Sequence, residues 1–105
     1  MTRIKIPFNK WSLERLLDER KTATSRNKCY GERNDVFIIR NKIFRITNIR
    51  QLKLITIATY CFKDEGCETP EEFINVWKSI HPRLGWTPDK RVWIHYFTYV
   101  EDVKP

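Results

Sequence analysis

Lys21, Thr22, Thr24, Ser25 and Arg26 crowd into six positions of the stretch ERKTATSRNKCYGE, Glu19–Glu32, with only Ala23 between them. An amine beside hydroxyls can form a nucleophile and its base. A lysine near Arg20 and Arg26 has its protonated form disfavoured by those cations, and a neutral amine can take the proton of a threonine hydroxyl. The chemistry would then be acyl transfer, with Lys21 as base and Thr24 as nucleophile. Positions three apart meet in a helical or turn-like backbone. In an extended chain they lie on opposite faces, so this arrangement requires a bend. The plainer alternative is a polar turn, in which Thr22, Thr24 and Ser25 bond the backbone while Lys21 and Arg26 are solvated. Composition alone favours that turn.

A second polar cluster, KDEGCETPEE, carries a carboxylate without a local task. Glu68, Glu71 and Glu72 suit the start of a helix, whereas Glu65 precedes Gly66 outside it. Glu65 is therefore a candidate acid/base, or an acceptor for a base edge; a solvated loop charge is the commoner role for such a residue. Trp86, in the Gly/Pro-containing loop RLGWTPDK, and Tyr30 are loop-placed aromatics. Either can stack on a nucleobase, and Trp86 can equally cover the core. His95, flanked by Trp93, Ile94, Tyr96 and Phe97, reads as a hydrogen-bonded core residue.

The charge is uneven. The 105-residue chain carries a net charge of +7, but residues 1–53 hold 14 Lys/Arg against 5 Asp/Glu, and residues 54–105 hold 6 against 8. A basic half is the electrostatic footprint of a nucleic-acid binder. Arg20, Lys21, Thr22, Arg26 and Lys28 are the candidate RNA or nucleoside contacts, with Tyr30 and Trp86 as stacking partners. Cys29, Cys61 and Cys67 form no Cys-x-x-Cys pair, and His81 and His95 have no metal-ligand spacing. Neither a metal nor another cofactor is expected. Reduced thiols, the lack of an apolar leader after Met1 and the lack of a membrane-length apolar run predict a soluble, cytoplasmic protein; a monomer is expected.

The elements that must position these residues are legible from periodicity. One domain is expected over 1–105. Arg3–Phe8 alternates like an edge strand. Leu13, Leu16 and Leu17 mark a helix capped by Asn9 or Ser12 and running to about Arg20. Val36–Ile39 and Ile43–Ile49 form a hairpin with Asn41-Lys42 at its turn, and the first of these strands is apolar enough to be buried on both faces. A strand around Leu52 passes into a short helix. Thr69, Pro70 and Glu72 give a capping box for a helix whose stripe is Phe73, Val76, Trp77 and Ile80, ending at His81-Pro82. Arg91–Val100 is a long strand covered on both faces. The fold class is α+β, a small domain on a curved sheet or barrel.

RKTATSR, followed in order by YGERNDVFII, IFRITNI, EGCETPEEFINVWKSIHP and VWIHYF, resembles an ASCH domain, the homology domain first noted in an activating signal cointegrator. The similarity runs roughly from Trp11 to Tyr99. It implies a small PUA-like β-barrel with flanking helices, and recognition of RNA or a nucleoside in a cleft lined by the lysine–threonine motif. One branch of that family removes the acetyl group of N4-acetylcytidine. Its lysine, second threonine and later glutamate match Lys21, Thr24 and Glu65. Other members bind RNA or act as ribonucleases. Two positions depart from the family pattern: Arg20 stands where a glycine is common, and Ser25 where an isoleucine is common. Both change the shape or polarity of the cleft. The expected function is an RNA- or nucleoside-binding domain. The alternatives are an N4-acetylcytidine amidohydrolase using Lys21, Thr24 and Glu65, and a ribonuclease acting on single-stranded RNA.

Overall fold

The computed structural model describes residues 2–104; the first and last residues of the expected 1–105 domain lie outside them. The elements follow the order α1 (Lys10–Leu17), β1 (Ala23–Arg26), β2 (Val36–Ile39), β3 (Lys42–Lys53), α2 (Leu54–Tyr60), α3 (Pro70–Ile80) and β4 (Arg91–Asp102). The four strands make one antiparallel sheet in the order β1-β4-β3-β2. The sheet curls into a half-barrel, and the fold is α+β, as expected. Among the described residues no helix is long and apolar enough to cross a membrane.

The central strand β4 alternates between two cores, because successive side chains of a strand point to opposite faces. Val92 and Ile94 join Leu54, Ile57, Phe73 and Trp77 beneath α2 and α3. Phe97 turns the other way and joins Ile6, Leu16, Phe37, Phe44 and Ile46 beneath α1. In that second core Phe37 stacks on Phe44 with centroids 5.4 Å apart, and Phe97 meets both edge-on.

Helix α3 begins as its sequence dictates. The Glu72 N–H donates to Thr69 Oγ1 at 3.1 Å, with Pro70 at the first helical position. Helix α1 is capped by Asn9, whose Oδ1 accepts from the Ser12 N–H at 2.8 Å. It ends at Leu17, three residues before Arg20. Glu19 enters the left-handed region (φ 64°), and the Arg20 N–H turns back to the Arg15 carbonyl.

Three expectations for the strands are corrected. Arg3–Phe8 is not a regular strand. Backbone bonds to Val36 hold only Thr2 and Ile4, and beyond them Pro7 has no N–H for a ladder. The hairpin turn is Arg40-Asn41, since Ile39 pairs with Lys42. That register sets Phe37 opposite Phe44, and such an aromatic pair fixes a register. β2 is an edge strand and only Phe37 is fully buried on it. Its apolar excess is absorbed by the N-terminal segment laid along it, where Ile4, Ile6 and Pro7 share a shallow groove with Ile38.

Candidate functional site

The motif Lys21–Arg26 folds differently from the polar turn that its composition suggests. It enters the sheet as β1, an edge strand paired only with β4. Ala23, Thr24 and Ser25 are buried there, as is Lys21 just before the strand. The register sets Ala23 against Tyr96, Thr24 against His95 and Ser25 against Ile94. By alternation Ala23 and Ser25 share the face of α3, and Thr24 shares the face of His95.

Glu65 reaches β1 from the loop that follows α2. The Lys21 amine donates to both the carbonyl oxygen and Oε1 of Glu65, at 3.1 Å each. The Ser25 hydroxyl donates to the other carboxylate oxygen, Oε2. The side chains of this ion pair are 3% and 5% exposed. Burial pushes the Lys21 pKa down, and the adjacent Glu65 carboxylate opposes that shift. The backbone ties the two segments together as well. The Thr22 and Ala23 N–H groups both donate to the Asp64 carbonyl, at 2.7 and 2.9 Å.

Gly66 makes this approach possible. Its φ of 92° belongs to glycine, and a Cβ there would stand 3.2 Å from the Lys21 Cβ and 3.1 Å from the Arg15 Cδ. Gly66→Ala is expected to lower stability by about 1–3 kcal/mol, the cost of a strained backbone position. Urea denaturation of the two proteins measures it, and an unchanged midpoint would contradict it.

A cavity of about 380 Å³ opens above the pair. Its floor is α3, through Phe73, Val76, Trp77 and Ile80. Its rim is the chain leaving β1, through Arg26, Asn27, Lys28 and Tyr30, and Trp11 closes it from α1. His81 stacks on Trp77 with centroids 4.2 Å apart and is held by the Trp77 carbonyl. The Arg26 guanidinium donates to the Pro7 carbonyl at 2.7 Å and lies over Phe8, while its buried Nε–H has no protein partner among the described residues. Lys28 rests against the Tyr30 ring. Cys67 also lines the cavity, but burial pushes its thiol up to about 12. It is therefore neutral at ordinary pH and a poor nucleophile.

Lys21, Thr24, Arg26, Lys28, Tyr30 and Glu65 all line this cavity. Arg20, Thr22 and Trp86 do not. Arg20 is exposed and pairs with Asp18 at 3.0 Å. Thr22 has an exposed side chain, and its backbone carbonyl accepts from the Phe97 N–H. Trp86 packs against the α2–α3 core, the second of its two expected roles. Sequence reasoning missed Ser25 as a partner of Glu65, because its neighbours suggested a turn. It also missed the contribution of Trp11 and α3, whose apolar stripe reads as core and in fact serves both core and cavity.

His95 fixes the rim. It is fully buried, with Nδ1–H donating to the Thr24 carbonyl at 3.1 Å and Nε2 accepting from the Tyr30 N–H at 2.9 Å. Both partners require the neutral ring. Burial lowers its pKa below the ordinary 6.5, against the Thr24 bond, which raises it. The unfolded chain therefore takes up a proton that the folded chain refuses. The contribution of His95 to stability is complete above 6.5 and is lost as pH falls below it. Melting temperatures from about pH 7.5 to 5 should fall more steeply for the wild type than for His95→Gln; parallel curves would contradict this.

No protein-family model and no curated protein matches the sequence. Solved structures do. The crystal structure of an ASCH domain from Lactobacillus crispatus JV V101 superposes with a TM-score of 0.60, over 93% of this chain and 78% of that one, at 12% identity. The chain has the ASCH fold. A DUF984 protein from Enterococcus faecalis V583 also matches with a TM-score of 0.60, over 99% of this chain and 82% of its own, at 18% identity. At such identities the shared property is the fold. Within this ASCH fold the half-barrel edge, the Glu65 loop and α3 surround the cavity, and among the described residues no group of three or more His, Cys, Asp or Glu could hold a metal ion.

Proposed function

We propose that the cavity beside β1 binds a nucleoside, either free or as one unit of a single-stranded RNA. The observation that carries this reading is the pairing of an aromatic floor with a basic rim. A cavity of about 380 Å³ falls in the range of small-molecule sites. Trp11, with the Arg15 guanidinium 3.7 Å over its ring, and Trp77, stacked on His81, give the cavity an aromatic wall for a planar ring, and in this reading Arg26 and Lys28 at the rim meet the phosphate. Both cations belong to the strongly basic half of the chain. The ASCH fold and the motif resemblance support the same ligand class.

Titration with a short single-stranded RNA at two salt concentrations tests the proposal. Affinity should fall steeply with salt, because bound phosphates release counterions. Lys28→Ala should reduce the log–log salt slope by about one. Absence of binding at low salt would remove this function.

The buried Lys21–Glu65–Ser25 cluster favours a second reading, hydrolysis of an acyl group from a modified base such as N4-acetylcytidine. A pocket that only binds gains little from sequestering a hydroxyl and an ion pair, because desolvating the two charges is expensive. Here Glu65 carries the proton traffic beside the Lys21 amine, and a hydroxyl of β1 accepts the acyl group. Release of cytidine and acetate, with the RNA chain recovered intact, distinguishes this chemistry from the ribonuclease alternative, which shortens the RNA.

A further inference from the structure

We infer that Ser25, rather than Thr24, is the hydroxyl that the Lys21–Glu65 pair makes into an acyl acceptor; the inference rests on the hydrolytic reading of the site. Three observations converge on it. The Ser25 hydroxyl already donates to Glu65 Oε2, while Lys21 occupies Oε1. No hydrogen bond links the Thr24 hydroxyl to either residue, and the strand register sets Thr24 opposite His95, on the other face of β1. Ser25 and Thr24 both line the cavity with Lys21 and Glu65, but of the two only the Ser25 hydroxyl is bonded to that pair. Of the two positions that depart from the family motif, Ser25 is the one whose side chain meets the acid–base pair.

The step balances with these groups alone. Ser25 Oγ attacks the acyl carbonyl carbon, an Oγ–C bond forms and the hydroxyl proton passes to Glu65. A protonated amine has three N–H donors; Lys21 directs two at Glu65 and keeps one for the developing oxyanion. Collapse breaks the C–N bond, and the departing amine takes the proton from Glu65. Water then attacks the acyl-serine ester and gives its proton to Glu65. The ester C–O bond breaks, Oγ recovers its proton and the carboxylic acid leaves.

The test is acetylation of the full chain by p-nitrophenyl acetate, mapped by peptide mass spectrometry, alongside turnover of N4-acetylcytidine. The expected result is an acetyl group on Ser25 of the wild type, and a fall of at least about a hundredfold in turnover for Ser25→Ala. Acetylation of Thr24 or Lys21 instead, or of neither these nor Ser25, overturns the inference. Turnover of acetylcytidine at the wild-type rate by Ser25→Ala also overturns it, while leaving the hydrolytic reading intact. Acetyl-Ser25 without turnover of acetylcytidine upholds the role of Ser25 and discards that substrate. The wild-type mapping needs no variant, so a folding defect in Ser25→Ala cannot decide the outcome.

Discussion

Lys21→Ala is expected to destabilise the protein by about 3–5 kcal/mol, because it leaves the Glu65 carboxylate buried without its counter-charge. That is a large share of the roughly 5–15 kcal/mol that holds a domain together. The side chains are 3% and 5% exposed, so water cannot replace the missing amine. The double variant Lys21→Met with Glu65→Leu should recover most of that loss, or exceed the wild type by about 1–4 kcal/mol, since two desolvated charges give way to apolar packing. Urea denaturation of the three proteins measures both effects. If the double variant is no more stable than Lys21→Ala, the ion pair is not the source of the loss. The expected pattern has a functional meaning. A pair that a hydrophobic substitution would improve is costly to fold, and the proposed work in the cavity above it would account for that cost.

Glu65→Gln should reduce acyl hydrolysis by about 10²–10⁴-fold, the range for losing a positioned general acid–base group. The amide keeps the size of the side chain and can still accept from Lys21 or Ser25, but it cannot carry a proton between nucleophile and leaving group. Nucleoside binding through the aromatic floor should survive, so the loss should fall on kcat more than on KM. A Glu65→Gln protein with wild-type kcat would show that Glu65 only shapes the pocket. An equal loss of affinity would show that its charge belongs to recognition.

Much of this arrangement was legible before the fold was known. The start of α3 follows from Thr69, Pro70 and Glu72, and the two-faced cover of β4 follows from its apolar and aromatic run as far as Phe97, whereas Thr98–Val100, expected to be covered too, are exposed. Glu65 stood out as the carboxylate that the helix start did not need. The errors arose where tertiary contacts override local pattern. Thr22, Thr24 and Ser25 have the composition of a turn, yet β4 supplies a ladder from Ala23 to Arg26 and the Asp64 carbonyl accepts from the Thr22 and Ala23 N–H groups at its start. The bend thought necessary to join Lys21 to a hydroxyl is unnecessary for Ser25, which an extended chain places on the same side as Ala23. Trp86 has the surroundings of a loop aromatic, but its partners lie in a core assembled from distant segments. Ile4 and Ile6 alternate like a strand, yet the chain uses them to cover an edge that their own sequence does not reveal.

The central claim is that the ligand enters the cavity between β1 and α3, and the indole N–H resonances test it directly. The chain has four tryptophans. Trp11 and Trp77 line the cavity, while Trp86 and Trp93 do not. Titration of the isotope-labelled protein with cytidine, followed by heteronuclear NMR, should shift the Trp11 and Trp77 indole signals and the backbone amides from Ser25 to Tyr30. Trp86 and Trp93 should stay in place. Shifts confined to Trp86 and Trp93, or to the β2–β3 hairpin, would place the binding surface elsewhere and contradict the account.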